Sequence, residues 1–403
     1  MKKIILLAAT VLIPLLAAAQ TAPRPAMQFP DYQFTTVKAA PITSIKNQAS
    51  SGTCWSFSAI SFLESEAIRL CNIKDESKYP DLSEFFVVGT SYKERAEKFI
   101  RVDGKLNFSV GSGCGDALDI VKNHGIVPNE CVTGVNYGTP LPQQSELDAV
   151  LLGYVTAVSK SRKPTTAWKR GFAAIVDEYF GKAPETFVVD GKTYTAESYR
   201  DALKINPDNY IELTSFTHHP FYTWFALEVA DNWRGTQSYN VPIDELMASL
   251  DNALEKGYTV CWGADVSHAG FTRDGLGILI DAEAMAAAAP AVGSDQERWV
   301  GAGAAPGRPA PVMKVIEAVP TQESRQIEFD DKTMTDDHGM HIFGIAKDQD
   351  GKKYYMVKNS WGETGKYKGI WYVTEAFVKA QTLDITLHKD VLTPALKNRL
   401  GIR

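Results

Sequence analysis

Three short segments that lie far apart along the chain constrain its fold more than any other feature. Cys54 stands in the run QASSGTCW, His338 in the run DHGM and Asn359 in the run KNSWG. A thiol, an imidazole and an amide are the groups of an activated nucleophile, its base and the residue that orients the base. Cys54 and His338 are 284 positions apart. We therefore expect a fold that brings distant parts of the chain together.

The segment after Cys54 has the pattern of a buried helix. Apolar side chains follow at mixed three- and four-residue steps from Trp55 to Leu70, which favours an amphipathic helix that begins at Cys54. The positive end of a helix dipole favours a thiolate over a neutral thiol. The sequence thus predicts a cysteine that is ionised with the help of the helix and of a nearby imidazole.

Among seven histidines, His338 has the local context of a base. It is followed by the small Gly339, which would leave room beside the ring, and by an apolar run that is typical of a strand. A second such run, residues 354–357, leads into Asn359, so paired strands would place the Asn amide beside the imidazole and fix its tautomer. His341 is the rival, but its position three residues later points it to the opposite face of a strand.

The site also needs donors for the negative charge that develops on a carbonyl oxygen under attack. The backbone N–H of Cys54 and the side-chain amide of Gln48, six positions earlier, are the two candidates. Two aromatic residues have supporting positions. Trp55 directly follows the cysteine, and Trp361, two residues after Asn359, is placed to cover the Asn–His hydrogen bond and exclude water.

These residues together resemble the papain-like cysteine peptidases, and more narrowly the bleomycin hydrolase/aminopeptidase C branch. The resemblance implies that Cys54 is the nucleophile, His338 the base, Asn359 the orienting residue and Gln48 the oxyanion donor. It also implies an α+β fold of two lobes, one helical and one an antiparallel barrel-like sheet, with a large helical insertion.

The spacing supports this branch. In papain and the cathepsins the His and Asn lie roughly 130–150 residues after the Cys, and the larger separation here leaves room for a long insertion. Residues 140–240 alternate helical patterns with short polar breaks. We expect residues 20–403 to form one peptidase domain with the helical insertion at residues 140–240.

Two departures from the family pattern have consequences. Ser51 stands where the papain signature has a cysteine, so Cys114 lacks the partner that the pattern would give it. The resemblance implies a C-terminal arm that lies in the cleft and restricts cleavage to one residue, but the tail after Asn359 ends at Arg403 and is short for that arm. Exopeptidase and endopeptidase action therefore both stay open. If all were oxidised, three disulfide pairings would be open to Cys71, Cys114, Cys131 and Cys261.

The first residues read as a cleavable signal peptide. Lys2 and Lys3 precede a short apolar core, residues 4–17, and Ala19 closes a small-residue cleavage site. We expect residues 1–19 to be removed on export to a periplasm or outside the cell, with no membrane anchor left afterwards.

Other partners and cofactors are not indicated. A formal net charge of −6 without a basic stripe argues against nucleic acid. His338 and His341 lie three apart on a strand and no C-x-x-C pattern occurs, so we expect no metal in catalysis and no cofactor. The pair His218 and His219 has the context of a loop or packing element. The family resemblance allows a homo-oligomer.

The sequence thus predicts a cysteine-type peptidase that hydrolyses peptide substrates through a Cys54 thioester. Two other functions use the same residues. A papain-fold amidase or acyltransferase would use the same thiol on another acyl donor or acceptor, and a non-catalytic homologue would only bind peptides. A thiolate–imidazolium pair of Cys54 and His338 would give a bell-shaped dependence of activity on pH.

Overall fold

The computed structural model describes residues 29–288 and 315–402 of the chain. Within it, Tyr32–Ala289 and Ile316–Arg403 form one compact unit. The predicted signal peptide, residues 1–19, lies outside the described residues and stays a prediction. No helix in the described part combines the length and apolar character that a membrane span requires.

Helices form much of the first half of the described chain and reappear around the sheet in the second half. The described residues contain α1 Cys54–Cys71, α2 Glu84–Arg101, α3 Cys114–His124, α4 Ser145–Ser159, α5 Ala167–Phe180, α6 Ala196–Ala202, α7 Ile243–Glu255, α8 Ala282–Ala288, α9 Gln322–Asp330, α10 Glu375–Gln381 and α11 Pro394–Leu400.

Ten strands form one large sheet, and two more form a separate hairpin. The strands are β1 Thr35–Ala39, β2 Phe187–Val189, β3 Lys192–Tyr194, β4 Tyr210–Thr214, β5 Trp224–Ala226, β6 Gln237–Asn240, β7 Val260–Ala264, β8 Leu276–Gly277, β9 His338–Lys347, β10 Lys353–Lys358, β11 Ile370–Thr374 and β12 Thr382–His388. The order in the large sheet is β5-β6-β4-β12-β7-β9-β10-β11-β8, with β1 on β9. Its pairs are antiparallel except β4 with β6 and β8 with β11.

Two apolar cores correspond to the two predicted lobes. The first is built by α1 to α5 and contains Phe62, Phe85 and Phe172. The second lies on the sheet, where side chains of β7, β9 and β10 such as Trp262 and Tyr355 pack against α7 and α10. Helix α1 begins at Cys54, as the apolar stripe predicted, and is buried over most of its length. The α+β class with a helical and a largely antiparallel lobe is confirmed.

The predicted insertion, residues 140–240, is helical only in its first part. Helices α4, α5 and α6 occupy it up to Ala202, interrupted by the β2–β3 hairpin. From Tyr210 onward the chain contributes β4, β5 and β6 to the large sheet, because β4 pairs with β12 over five residues. The strands of this segment were not visible as a pattern in the sequence, and its role as an insertion stays a prediction.

The five cysteines of the described chain are free thiols. Cys261 is in the core. Ser51, which stands in place of the family's cysteine, is buried and donates a hydrogen bond to the backbone oxygen of Gln48 at 2.6 Å. Its hydroxyl also lies 2.5 Å from that of Thr53. Hydrogen bonds therefore hold this loop in the described structure, without a disulfide.

Candidate active site

Cys54 lies at the head of α1, directly against the start of β9. The backbone N–H groups of Gly339 and Trp55 reach its sulfur. A Cβ atom on Gly339 would lie 2.7 Å from Ser58 Oγ and 3.1 Å from Trp55 Cα. The glycine was expected to leave room beside the imidazole, but the space that it provides is for the first turn of α1. This close approach brings the thiol to the strand that begins with His338.

His338 and Asn359 are joined by a hydrogen bond of 2.7 Å between Nε2 and Oδ1. The same Oδ1 accepts the backbone N–H of Ser360 at 2.7 Å, which identifies this atom as the oxygen because a backbone N–H only donates. His338 Nε2 therefore carries the proton, and Nδ1 keeps a lone pair. An imidazole in this tautomer can accept a proton at Nδ1 while Asn359 holds the ring.

The two tryptophans lie beside the imidazole and behind the thiol. The ring of Trp361 stacks on that of His338, with centroids 4.8 Å apart and an angle of 29° between the planes. Trp55 is buried, and its indole N–H donates to the backbone oxygen of Val110 at 2.9 Å. Trp361 shields the imidazole from water, while Trp55 ties the helix of the thiol to the loop that borders the cleft.

His341, the rival of His338, has a different environment. Its ring is fully buried, and Nδ1 lies 2.9 Å from the hydroxyl of Ser61 on α1. It also makes an edge contact with Phe62. His341 is not among the residues that line the cleft, whereas His338 and Cys54 are. The structure thus brings Cys54 together with His338 and leaves His341 in the interface between helix and sheet.

Gln48 is buried close to the site. Its Nε2 donates to the backbone oxygen of Ser51 at 2.7 Å, and its Oε1 accepts the hydroxyl proton of Ser360 at 2.5 Å. An amide nitrogen has two N–H groups, so one is left after the bond to Ser51. The backbone N–H of Cys54 makes no hydrogen bond with any described residue. These are the two donors that the sequence predicted for an oxyanion.

Burial opposes ionisation of the thiol and the imidazole. Burial raises the pKa of Cys54 to about 11, although the Gly339 N–H acts in the other direction. Burial lowers the pKa of His338 to about 4 against the effect of the Asn359 hydrogen bond. The free site therefore favours a neutral thiol and a neutral imidazole near pH 7. This differs from the ion pair expected from the helix dipole, because the loss of water around each group is the larger effect.

A buried group of charged residues lies behind Asn359. Lys358, directly before Asn359, donates to Thr43 Oγ1 at 2.9 Å, and Thr43 in turn hydrogen-bonds to Glu64 of α1. Lys46 lies 3.8 Å from Glu84. Lys358, Glu64 and Glu84 are each less than 5% exposed. The group links the helix of Cys54 to the strand that leads into Asn359, and the sequence analysis did not identify it.

A cavity of about 330 Å³ opens beside Cys54 and His338. Among the described residues, six with carboxyl groups line it, and no Lys or Arg does. We call them the cleft carboxylates: Asp116, Glu212, Asp231, Asp336, Asp337 and Asp384. Glu212 and Asp384 come from neighbouring strands of the sheet, β4 and β12. The cleft beside the thiol is therefore strongly acidic.

Burial and neighbouring acidic groups raise the pKa of three cleft carboxylates, Glu212, Asp336 and Asp384. Burial, followed by the charges of Asp231 and its neighbours, raises the pKa of Asp336 to about 7. Burial raises the pKa of Glu212 to about 7 as well, and burial together with the charges of Glu212 and Asp336 raises that of Asp384 well above its ordinary value. The carboxyl groups of Asp336 and Asp384 make no hydrogen bond with any described residue. A cation that enters the cleft would stabilise the ionised form of these two carboxyl groups more than that of groups already paired.

Two family models match the chain, and each covers part of it. The model of the papain family cysteine protease matches residues 31–138, which include Cys54. The model of the peptidase C1-like family matches residues 314–401, which include His338 and Asn359. The two matches therefore cover the segments that form the site.

Relatives match over most of their length. Aminopeptidase G of Lactobacillus delbrueckii subsp. lactis is 23% identical, over 88% of this chain and 82% of the relative. Aminopeptidase C of Streptococcus thermophilus is 22% identical, over 87% of this chain and 81% of the relative. Cysteine proteinase 1, mitochondrial, of Saccharomyces cerevisiae is 22% identical, over 91% of this chain and 79% of the relative.

A solved structure shows the same fold. The crystal structure of PepW from Lactobacillus rhamnosis superposes with a TM-score of 0.67 at 16% sequence identity, over 91% of this chain and 84% of that one. The resemblance read from the sequence is confirmed by these matches: the chain is similar to papain-like cysteine peptidases of the bleomycin hydrolase/aminopeptidase C branch, and it is a cysteine-type peptidase.

Proposed function

We propose that this peptidase removes residues from the free amino end of peptides, with Cys54 as nucleophile, His338 as base, Asn359 as orienting residue and Gln48 as oxyanion donor. The observation that carries the aminopeptidase mode is the set of cleft carboxylates beside the thiol, with no Lys or Arg among the lining residues that the structure describes. The names of the relatives, aminopeptidases G and C, support the same mode.

In the first step the sulfur of Cys54 forms a bond to the carbonyl carbon of the peptide. The thiol proton moves to Nδ1 of His338, which the hydrogen bond to Asn359 leaves free for it. The carbonyl oxygen becomes an oxyanion and accepts the Cys54 N–H and the second N–H of the Gln48 amide. Because the resting pair favours the neutral form, the proton leaves sulfur as the new bond forms.

In the second step the carbon–nitrogen bond breaks. The leaving amine takes the proton from His338 Nδ1, and a thioester of Cys54 remains. Water then attacks the thioester while Nδ1 removes its proton, and the acid product leaves as the sulfur takes that proton back. Trp361, stacked on the imidazole, keeps the ring and its bond to Asn359 in a dry environment during both steps.

The free amino end supplies a cation that the cleft can bind. An α-amino group has a pKa near 7.7–8.0 and is mostly protonated at neutral pH. The carboxyl groups of Asp336 and Asp384 have no hydrogen-bonded partner among the described residues, and an ammonium group beside them favours their ionised form. The side chains of the cleft therefore offer the amino end a binding site next to Cys54.

The test is digestion of one long peptide in two forms, with its amino end free and with that end acetylated, read by mass spectrometry. We expect stepwise loss of single residues from the free form and a decrease in kcat/KM of at least ~30-fold after acetylation, because the acetylated end carries no charge. Internal cuts that are equal in both forms would contradict the aminopeptidase mode. Transfer of the acyl group to an added amine with little hydrolysis would favour the acyltransferase.

A further inference from the structure

A second cluster of reactive side chains lies outside the cavity. His218 and His219 are in the loop after β4, and Glu228 follows β5 by two residues. We call these three residues the His–Glu cluster. Their candidate ligand atoms all lie within 4.8 Å of one another. The cluster has no part in the proposed peptidase mechanism.

The two imidazoles converge on one carboxylate. His218 Nε2 lies 3.0 Å from Oε2 of Glu228, and His219 Nε2 lies 2.9 Å from Oε1. The side chain of His218 is 27% exposed, that of His219 36% and that of Glu228 55%. An ion between these atoms could therefore be reached from solvent and keep positions open for water.

Packing fixes both rings in the orientation that a ligand needs. His219 stacks on Phe225, with centroids 4.1 Å apart and an angle of 24°. His218 stacks on Phe329 of α9, with centroids 5.5 Å apart and an angle of 13°. Asn240 donates to the backbone oxygen of His219 at 2.9 Å and so holds the loop. Rings that are held in this way lose little conformational entropy when they bind an ion.

Gln326 can support the proton shift that binding requires. Its Oε1 lies 3.3 Å and its Nε2 3.1 Å from Nδ1 of His218. Without an ion, His218 donates its Nε2 proton to Glu228 and accepts the amide N–H at Nδ1. With an ion at Nε2, the ring proton sits on Nδ1 and is donated to the amide oxygen. An outer partner that fixes the tautomer in this way is characteristic of histidines that bind metals.

We propose that His218, His219 and Glu228 form a Zn²⁺ site. A bound ion restricts the motion of the part of the cleft lining that adjoins Glu228. Two imidazoles and one carboxylate are ligands that suit Zn²⁺, whereas Mg²⁺ and Ca²⁺ prefer oxygen ligands alone. Two neutral imidazoles and one carboxylate leave a net charge of +1 on the occupied site.

The cluster is joined to the cleft through its carboxylate residue. Leu227 and Val229, on either side of Glu228, line the cavity, and Asp231 of the cleft carboxylates follows two residues later. Leu227 also packs in a small core with Phe225. An ion that fixes Glu228 to the two histidines therefore fixes this part of the lining. The lining then loses less conformational entropy when a peptide binds than it would without the ion.

The test is titration of Zn²⁺ into the metal-free Cys54→Ala chain in competition with a chromophoric zinc indicator. The Cys54→Ala background removes the catalytic thiol, which would bind the ion itself. We expect one equivalent to bind, and His219→Ala and Glu228→Gln each to weaken binding by ~100-fold or more. The matched control is His124→Ala, since His124 also pairs with a carboxylate, Glu94, at 2.7 Å but has no second imidazole.

The second measurement is the affinity of the Cys54→Ala chain for a peptide with a free amino end, with and without Zn²⁺. We expect the ion to tighten peptide binding about fivefold, and this effect to be absent in Glu228→Gln. Thermal unfolding checks that each variant is folded. Zn²⁺ should raise the unfolding temperature of the parent and of His124→Ala, but not that of His219→Ala or Glu228→Gln. No uptake by the parent, or equal uptake by Glu228→Gln, would overturn the site; unchanged peptide affinity would overturn its link to the cleft.

Discussion

Cys54 and His338 border the same cavity as the cleft carboxylates, but the two sets differ in how their polar side chains are paired. His338 and Asn359 are paired with each other, and Trp361 covers the imidazole. The carboxyl groups of Asp336 and Asp384 have no hydrogen-bonded partner among the described residues, and their neighbours are also acidic. The thiol–imidazole–amide group is therefore ordered before substrate binds, whereas the cleft carboxylates gain a partner only when a cation binds.

The comparison shows how such a cleft can combine chemistry with selection. A preorganised base needs little rearrangement during the reaction. Unpaired carboxylates that raise one another's pKa carry an electrostatic cost in the free protein, and an ammonium group relieves that cost when it binds. Changes to the first group should therefore reduce kcat, whereas changes to the second should act on KM for substrates with a free amino end.

The largest effect is expected from the thiol–imidazole–amide group. Cys54→Ala should abolish turnover of a peptide amide, and His338→Ala should lower kcat by about 10³-fold or more, because no other group accepts the thiol proton. Asn359→Ala should cost less, since it only orients the ring. Steady-state kinetics on folded variants measure these effects. Full activity of His338→Ala would assign the base to another residue.

The buried charges behind Asn359 should give the next largest effect, on stability. Lys358→Met leaves Glu64 and Glu84 buried without this cation, so the free energy of unfolding should fall by about 3 kcal/mol. Urea denaturation followed by circular dichroism measures it. Lys397→Met is the control, since Lys397 lies 3.4 Å from Asp390 at the surface and should change stability by less than about 1 kcal/mol. Equal effects would show that the buried group contributes little.

The thiol–imidazole–amide group could be predicted from the sequence because each member lies in a short recognisable segment. The strands that carry His338 and lead to Asn359 have the apolar runs from which they were predicted. Lys358 was in one of these segments, but nothing in its neighbours indicated that a lysine there would be buried. The ionised thiol was expected from the helix end and the nearby imidazole, and local sequence does not reveal how much water the fold removes.

The cleft carboxylates could not be predicted because no short segment contains them. Asp384 is on β12 and packs over Gly263 of β7, where an added Cβ would lie 2.8 Å from a carboxylate oxygen. Glu212 comes from β4, on the other side of β12. Their meeting depends on the order of strands in the sheet, which joins residues more than a hundred positions apart. Acidic residues scattered along a chain otherwise indicate only a solvated surface.

A smaller effect, and a sharper test of the comparison, is expected from single cleft carboxylates. An ammonium group in the cleft favours the ionised form of Asp384. Asp384→Asn keeps the shape of the side chain but cannot ionise, so KM for a peptide with a free amino end should rise about tenfold with kcat nearly unchanged. The acetylated form of the peptide should be unaffected. Asp390→Asn, outside the cavity, is the control. Equal losses with both peptides would make Asp384 a structural residue.

The smallest effect is the dependence of KM on pH. The pKa values of Glu212 and Asp336 are raised to about 7, so both groups become more negative as the pH rises through 7. KM for a peptide with a free amino end should therefore fall a few-fold between about pH 6 and 7.5, and rise again where the α-ammonium loses its proton near pH 8. KM for the acetylated peptide should stay flat over this range. Asp336→Asn should reduce the fall, because one of the two titrating groups is then neutral at every pH. A fall in KM that is the same for both peptides would show that these carboxyl groups do not bind the amino end.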